Sequence, residues 1–419
     1  MGAQPTRLKT AAETQLAEHF AGLGAVSPGQ ADAFKRFDAQ GLPHRRVEAY
    51  HFTDLRAGLR ECLAPAAKPD SAAIRAAHLR LGVPHAACRI VLLDGHFIAE
   101  LSSPAPDGVQ FGVNLGSHLA GFPDDAMLDL VAAFGPHGVA IKVGDGVAVS
   151  DPIELLHLHS LGDPRAIFAQ DFVQVGDGAS LTLLETHAGQ GAADQRHTMQ
   201  TLVLGAGASV AHVSAAAPGA GFCVHSQQVR LGAKASFESF ALLAGGKLTR
   251  RQIFLKFTGE NATASLNGVT VLRGTEHIDT TLTVDHAAPH CSSRETFRHI
   301  IDDEATGIFQ GKIIVRPGAQ KTDGKMMSKA ILLSESAIMN NKPELEIFAD
   351  DVVCGHGATV GALDEDQLFY AQQRGIPKQE AQALLLEAFA GEVIDTISHQ
   401  ETAARLRDIV AQWLAARKA

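Results

Sequence analysis

GDGASLTLLETH, residues 176–187, carries the pattern that decides the fold: a glycine-rich turn of five residues, then a run that roughly alternates apolar and polar side chains. The turn recurs as GAGAS at 205–209, GAKAS at 232–236 and GENAT at 259–263, so its starts at 176, 205, 232 and 259 are almost evenly spaced. Each copy leads into another alternating run, among them SVAHVS from Ser209 and SFESFALL from Ser236. Period two marks a strand. A turn-plus-strand unit at a nearly fixed step marks a solenoid, in which no coil buries its apolar face alone and neighbours share one long core. A further copy, GHGAT at 355–359, extends the pattern toward the C-terminus. The expected fold class is mainly β: a right-handed parallel β-helix over 136–361, with an ordinary β-sandwich as the alternative.

Outward from this core the pattern is helical on both sides. Residues 1–135 read as a mostly helical region. Leu8 to Phe20 has a helical pattern, Ser27-Pro28 places a cap before a first-turn proline, and Asp70 or Ser71 starts a helix that ends near Gly82. Ala64 to Pro69 reads as a linker. In the C-terminal region, 362–419, Asp364 caps a helix through Leu368, Phe369 and Tyr370 that stops at Gly375. Pro377 starts a second helix with an apolar stripe of Ala381, Leu384, Leu385, Ala388, Phe389 and Val393. Ser398 and Glu401 form a capping box before a third, carrying Leu406, Ile409, Val410, Trp413 and Leu414. A solenoid has two open ends with unpaired strand edges. The flanking helices either cap those ends or, through the Ala381–Val393 stripe, dock another protein.

Composition narrows the function. The 419 residues carry a net charge of −10, which argues against a broad basic face and against a nucleic-acid partner. No apolar run approaches the length of a spanning helix, so no membrane span is expected, and a soluble cytoplasmic protein is. Five scattered cysteines with no C-x-x-C pair fit a reducing compartment. The opening MGAQPT matches a loose acylation pattern, for which a frayed terminus is the plainer reading. The chain has no phosphate loop, no H-E-x-x-H and no G-x-S-x-G, and Gly144-Asp145-Gly146 lacks the third glycine of a dinucleotide loop. Catalysis is not expected. Asp302-Asp303-Glu304 reads as a solvated turn rather than as the carboxylate cluster of a polysaccharide-acting solenoid enzyme, a rival further weakened by two tyrosines and one tryptophan.

Two C-x-H triplets stand out, Cys223-Val224-His225 and Cys354-Gly355-His356. On a strand, residues i and i+2 face one side, about 6.6 Å apart, and thiolate with imidazole suits iron–sulfur chemistry. Two ligands do not complete a tetrahedral site, so others must come from elsewhere in the chain or from a second chain. Cys223 lies late in the repeat unit that starts at Gly205, whereas Cys354 stands directly before GHGAT, so the triplets differ in phase and should not stack. Cys223 and His225 read as buried structural residues.

KPELEIFADDVVCGHGATVGALDEDQLFYAQQRGI, residues 342–376, closely resembles the SufD family of iron–sulfur cluster assembly proteins. GKIIVRPGAQKTD at 311–323, LLS at 332–334 and GLPHRRVEAYHFTDLR at 41–56 resemble it too. The resemblance implies a β-helix core between helical regions. It implies a scaffold that works with a paralogous SufB-like subunit and a SufC-like ATPase. The histidine matched by His356 would be a ligand or iron-entry residue at the SufB interface, with Cys354 beside it, holding iron or a transient iron–sulfur cluster. The helices after Gly361 match the part that contacts the ATPase. Tyr50, where many members have tryptophan, and Met326-Met327, where many have a more polar pair, read as packing changes away from the site. A chain expressed alone is expected to form a homodimer through solenoid edges, and a homodimeric structural protein is the remaining alternative function.

Overall fold

The computed structural model describes residues 8–82, 86–113, 121–135, 137–160, 162–188, 193–216 and 221–417. The MGAQPT pattern lies outside them. The core is a β-solenoid of about seven turns, with helices toward both termini. Each coil gives one strand to each of two facing sheets. The first sheet runs through Cys88–Leu93, Ile153–Leu158, Ser180–Ala188, Ser209–Ala216, Ser236–Ala244, Thr263–Leu272, Ser292–Ile301, Asp323–Leu332 and Val353–Gly361. The second runs through Val139–Val143, Ala166–Val175, Gln195–Leu204, Phe222–Leu231, Leu248–Phe257, His277–His286, Thr306–Val315 and Ile338–Ile347. All these pairings are parallel.

The repeated pentapeptide is one corner of the coil. Its third residue sits in the left-handed region: φ is 67° at Gly178, 67° at Gly207, 60° at Lys234 and 59° at Asn261. From there its N–H reaches the carbonyl of the second corner residue on the next coil: Gly178 to Ala206 at 2.8 Å, Gly207 to Ala233 at 2.7 Å, Lys234 to Glu260 at 2.8 Å. The same corner recurs where the sequence pattern is weaker. Gly146 (φ 68°) donates to Asp177, His290 (φ 59°) to Gln320 and Lys321 (φ 62°) to Asp351. Gly144-Asp145-Gly146 is thus the first corner of the solenoid. GHGAT is not a corner, contrary to the sequence reading. It lies within the strand Val353–Gly361, and its Gly357 serves close packing, since a Cβ there would stand 2.6 Å from the Met327 methyl. Asp302-Asp303-Glu304 is the turn expected of it, with the Asp303 carboxylate accepting the Gly274 N–H at 2.8 Å.

Among the described residues, eight α-helices flank the sheets: α1 (Ala11–Ala21), α2 (Pro28–Gln40), α3 (Leu55–Gly58), α4 (Ser71–His78), α5 (Ala126–Phe134), α6 (Glu365–Gln373), α7 (Lys378–Ile394) and α8 (Gln400–Ala415). Thr10 and Ser27 cap α1 and α2 with full capping boxes. Asp364 caps α6, as the sequence indicated. The cap of α8 is His399, accepting the Thr402 N–H, rather than Ser398. The N-terminal region also contributes strands: Cys88–Leu93 belongs to the first sheet, and His96–Phe97 and Val109–Val113 add antiparallel edges to the two sheets. These short antiparallel strands close the N-terminal end of the solenoid. The helices cover sheet faces, not ends. α1, α2, α5 and Tyr50 pack with Phe168, Phe222 and Val224 of the second sheet. α7 and α8 pack with Val269, Val271 and Ile300 of the first.

Tyr50 is buried, and its hydroxyl donates to Asp125 at 2.7 Å while the Arg250 guanidinium lies 3.9 Å over its ring. Arg250 donates to Asp279 at 2.5 Å and to the Ala49 carbonyl at 2.8 Å, which ties residues 41–56 to the sheet. Arg250→Met would leave Asp279 buried without its charge partner. We expect a loss of about 3–5 kcal/mol, read by urea unfolding; a loss below about 1 kcal/mol would mean that the pair is dispensable.

Inside the solenoid, the half next to the glycine corners is apolar, with Leu155, Leu183, Val210, Phe237, Leu266 and Phe309 among its members. The other half is polar along the first coils. Burial there and on the outer faces depresses several histidines. His197, stacked on Phe168 at 5.0 Å, is pushed down to about 3 by desolvation, as is His299. Below pH 6.5 the unfolded chain takes up a proton at each that the folded chain refuses until about pH 3, so stability falls as pH falls across that window. His197→Phe should therefore stabilise the protein more at pH about 5 than at pH about 7 in urea titrations. An equal effect at both pH values would rule out a neutral buried imidazole.

Candidate functional site

Among the described residues, the C-terminal end of the solenoid has no antiparallel closure. Its last coil exposes two sheet edges, Ile338–Ile347 and Val353–Gly361. The first is defended as edges usually are. It carries Pro343, which lacks a donor, and the charged Lys342, Glu344 and Glu346. Lys342 pairs with Glu48 and Lys312 with Glu346. The second edge, VCGHGATVG, has no proline and no lysine, arginine or carboxylate. Val353 is 62% exposed and Val360 47%. Unpaired backbone and β-branched side chains together form an adhesive edge.

Cys354 and His356 both lie on this edge strand, on one side by alternation. Cys354 is half-buried and packs against the end of the apolar core. Burial pushes its thiol up from the ordinary value. His356 is exposed. Parallel register places it beside Met326, and Met326 beside Glu295. Met326, 2% exposed, is therefore the floor under His356, which corrects the sequence reading that the Met326-Met327 pair stands away from the site. Glu295 is buried, with no well-formed hydrogen bond at either carboxylate oxygen among the described residues, and desolvation, opposed in part by nearby Ser293, pushes it up to about 8. Among the described residues, no third His, Cys, Asp or Glu joins Cys354 and His356 in a ligand cluster. The strand alone offers one thiol and one imidazole.

The helices after the last strand split the sequence-derived stripe. Phe369, Tyr370 and Leu384 are 62%, 61% and 48% exposed, and Ala388 is exposed as well. Leu368, Leu385 and Phe389 are half-buried, with Arg298 5.3 Å from the Phe389 ring centre. Val393, at 1%, is part of this chain's own core against the sheet and cannot face a partner. The buried side of α7 is completed by Ala381, Leu386, Ala390 and Ile394. Cys223 and His225 lie in the polar half of the interior, in the sheet opposite Cys354, and line a cavity there. The sequence did not reveal their neighbours His157, Glu185 and His187. The only local hint is the i, i+2 spacing of Glu185 and His187, which turns ligand-like once the coil below supplies His157.

No described helix is long and apolar enough to cross a membrane. The family model for "SUF system FeS cluster assembly, SufBD core domain" matches residues 158–389, more than half of the chain. The chain is 30% identical over 369 residues to the iron-sulfur cluster assembly protein SufD of Escherichia coli, covering 85% of this chain and 86% of that one. It is 28% identical over 396 residues to a SufBD family protein of Synechocystis, covering 88% and 87%. It is 26% identical over 272 residues to SufD of Bacillus subtilis, covering 64% and 62%. On this breadth of match, over a solenoid whose last strand carries the Cys354–His356 pair, the chain belongs to the SufBD family of SUF-system iron–sulfur cluster assembly proteins, as a SufD-type member.

Proposed function

We propose that this protein is a non-catalytic scaffold subunit in iron–sulfur cluster assembly. It pairs through the Val353–Gly361 edge with a SufB-like paralogous subunit, and takes iron or a transient cluster at that interface. The single observation that carries this reading is the undefended edge strand that presents His356. A neutral, flat strand edge needs a partner strand, and His356 with Cys354 supplies half of a ligand set that the partner would complete. A SufC-like ATPase docks on α6 and the outer side of α7, where Phe369, Tyr370 and Leu384 are exposed. ATP hydrolysis in that partner would supply the work that a chain without a phosphate loop cannot.

His356→Ala should leave the fold and the assembled complex intact while iron or cluster loading falls by about tenfold or more, equal to about 1.4 kcal/mol of binding. Loading is read by iron content and visible absorption of the co-purified complex, and normal loading would remove the assignment. A second copy of this chain could occupy the same edge in place of the paralogue. Sedimentation of the chain with and without the SufB-like subunit separates the two, since the proposal requires the homodimer to give way to the heterodimer.

Phe369→Asp and Leu384→Asp should weaken ATPase binding about tenfold each with an unchanged melting temperature. Val393→Asp should instead unfold the C-terminal helices, at about 3–5 kcal/mol, because it buries an unpaired charge. Calorimetric titration with the ATPase and thermal melting separate these effects. Unaltered binding by both exposed variants would move the docking surface elsewhere.

A further inference from the structure

The polar half of the solenoid interior contains a group that neither the family assignment nor the open end uses. His157 and His187 are register partners on adjacent coils, and their rings stack at 4.5 Å and 10°. Glu185 precedes His187 by two positions on the same strand and so faces the same way. Its Oε1 lies 3.3 Å from His157 Nε2 and 3.2 Å from His187 Nε2. The three ligand atoms all lie within 4.8 Å of one another. They border a cavity of about 40 Å³, which Cys223, His225 and Thr198 also line.

Hydrogen bonding does not use these atoms fully. Among the described residues, His157, with its side chain 7% exposed, has no well-formed hydrogen bond at Nε2 despite the nearby carboxylate, and His187, whose Nε2 bonds Glu185 Oε1 at 3.2 Å, has none at Nδ1. The other oxygen of Glu185 is firmly held, accepting from His212 at 3.0 Å and from Gln200 at 3.3 Å. The carboxylate is thus oriented from behind, with its front oxygen turned to two imidazoles. In a coordination sphere with ligands at about 2.1 Å, neighbouring ligand atoms lie about 3.0–3.4 Å apart, between octahedral and tetrahedral geometry. Both nitrogen-to-oxygen separations fall in that range.

We propose that His157, Glu185 and His187 form a buried binding site for a divalent first-row metal ion, Fe2+ or Zn2+, inside the solenoid. Two imidazoles and one carboxylate are a donor set that suits these ions and leaves positions open for water or for a side chain across the cavity. Asp171, whose Oδ2 is 3.9 Å from His157 Nε2, adds negative charge from the facing sheet. Arg196 and Arg251 line the same cavity and bring positive charge to it, Arg196 lying 3.4 Å from His159, also a lining residue, and Arg251 donating to Gln227 at 3.5 Å; the carboxylates of Glu185 and Asp171 offset that charge. His212 and Gln200 would hold the ligating carboxylate from outside the coordination sphere.

The site stands apart from the proposed subunit interface, and the test keeps them apart. The full-length chain carrying Cys354→Ser and His356→Ala is stripped with a chelator and exposed separately to Zn2+ and, without oxygen, to Fe2+. After desalting, about one ion per chain is expected by elemental analysis. Glu185→Gln and His187→Gln, added singly, should each lower retention about tenfold while circular dichroism is unchanged. Crystals of the parent grown with Zn2+ should show a zinc-edge anomalous peak between His157, Glu185 and His187. Retention of no ion by the parent overturns the proposal whether or not the added variants fold. So does an anomalous peak placed elsewhere, or retention unaffected by both folded variants, which would leave the cluster as a hydrogen-bond network only.

Discussion

One backbone contact governs this molecule: the N–H of a left-handed corner residue donating to the carbonyl of the second corner residue on the next coil. It recurs from Gly146 to Lys321. Because the corner's geometry is fixed, each coil must return the chain to the same point, and every strand starts in register with the one below. Parallel sheets without such a device can slip by one residue, which would turn every inward side chain outward. Here the corner sets the phase, and the two-residue alternation then determines which side chains enter the core. The apolar half of the interior, the His157–His187 stack and the placement of His356 over Met326 all follow from that phase.

The two ends of the solenoid obey the same rule and reach opposite outcomes. At the N-terminal end, His96–Phe97 and Val109–Val113 turn antiparallel and close both sheets with short strands. At the C-terminal end the last coil stops with both edges unpaired among the described residues, and of the two only Ile338–Ile347 has proline and charge to discourage pairing. Helices cannot substitute for this closure, because α1, α2 and α5 lie on one outer face and α7 and α8 on the other. The asymmetry is one of backbone hydrogen bonding, so it would survive most side-chain changes on the surface.

The sequence exposed the solenoid because four corners share glycine at the first position and a small residue at the fourth. It hid the later corners because the left-handed residue there is His290 or Lys321, identities that carry no turn signal although φ is 59° and 62°. GHGAT misled for the converse reason: glycine can serve a turn or a close approach, and Gly357 does the second against Met327. Val393 fitted an apolar stripe, but a helix lying on a sheet buries one side, and periodicity does not say which half of a broad stripe that is. Cys354 and His356 were legible as neighbours in the chain. His157, Glu185 and His187 were not, since a whole coil separates His157 from His187 along the chain and the pairing exists only once the register is known.

Register also shows how the interior cluster and the open end relate. A single file of inward residues runs His212, Ser239, Leu266, Glu295, Met326, His356, one per coil. His212 touches Glu185 at one end of the file, and His356 stands at the other. Leu266 and Met326 break the file into polar segments separated by buried aliphatic side chains, 1% and 2% exposed. A continuous chain of hydrogen bonds or exchangeable ligands cannot cross such residues without opening the coil, because an ion without ligands in an apolar interior is strongly disfavoured. Desolvation pushes Glu295, buried between them, up to about 8. The two ends of the file are therefore not joined by a continuous path of ligands or hydrogen bonds, although charge still acts through the weakly screening interior, as Glu295 does on Cys354. Mechanical coupling between them would pass through the packing of whole coils, whose register the corner contacts fix.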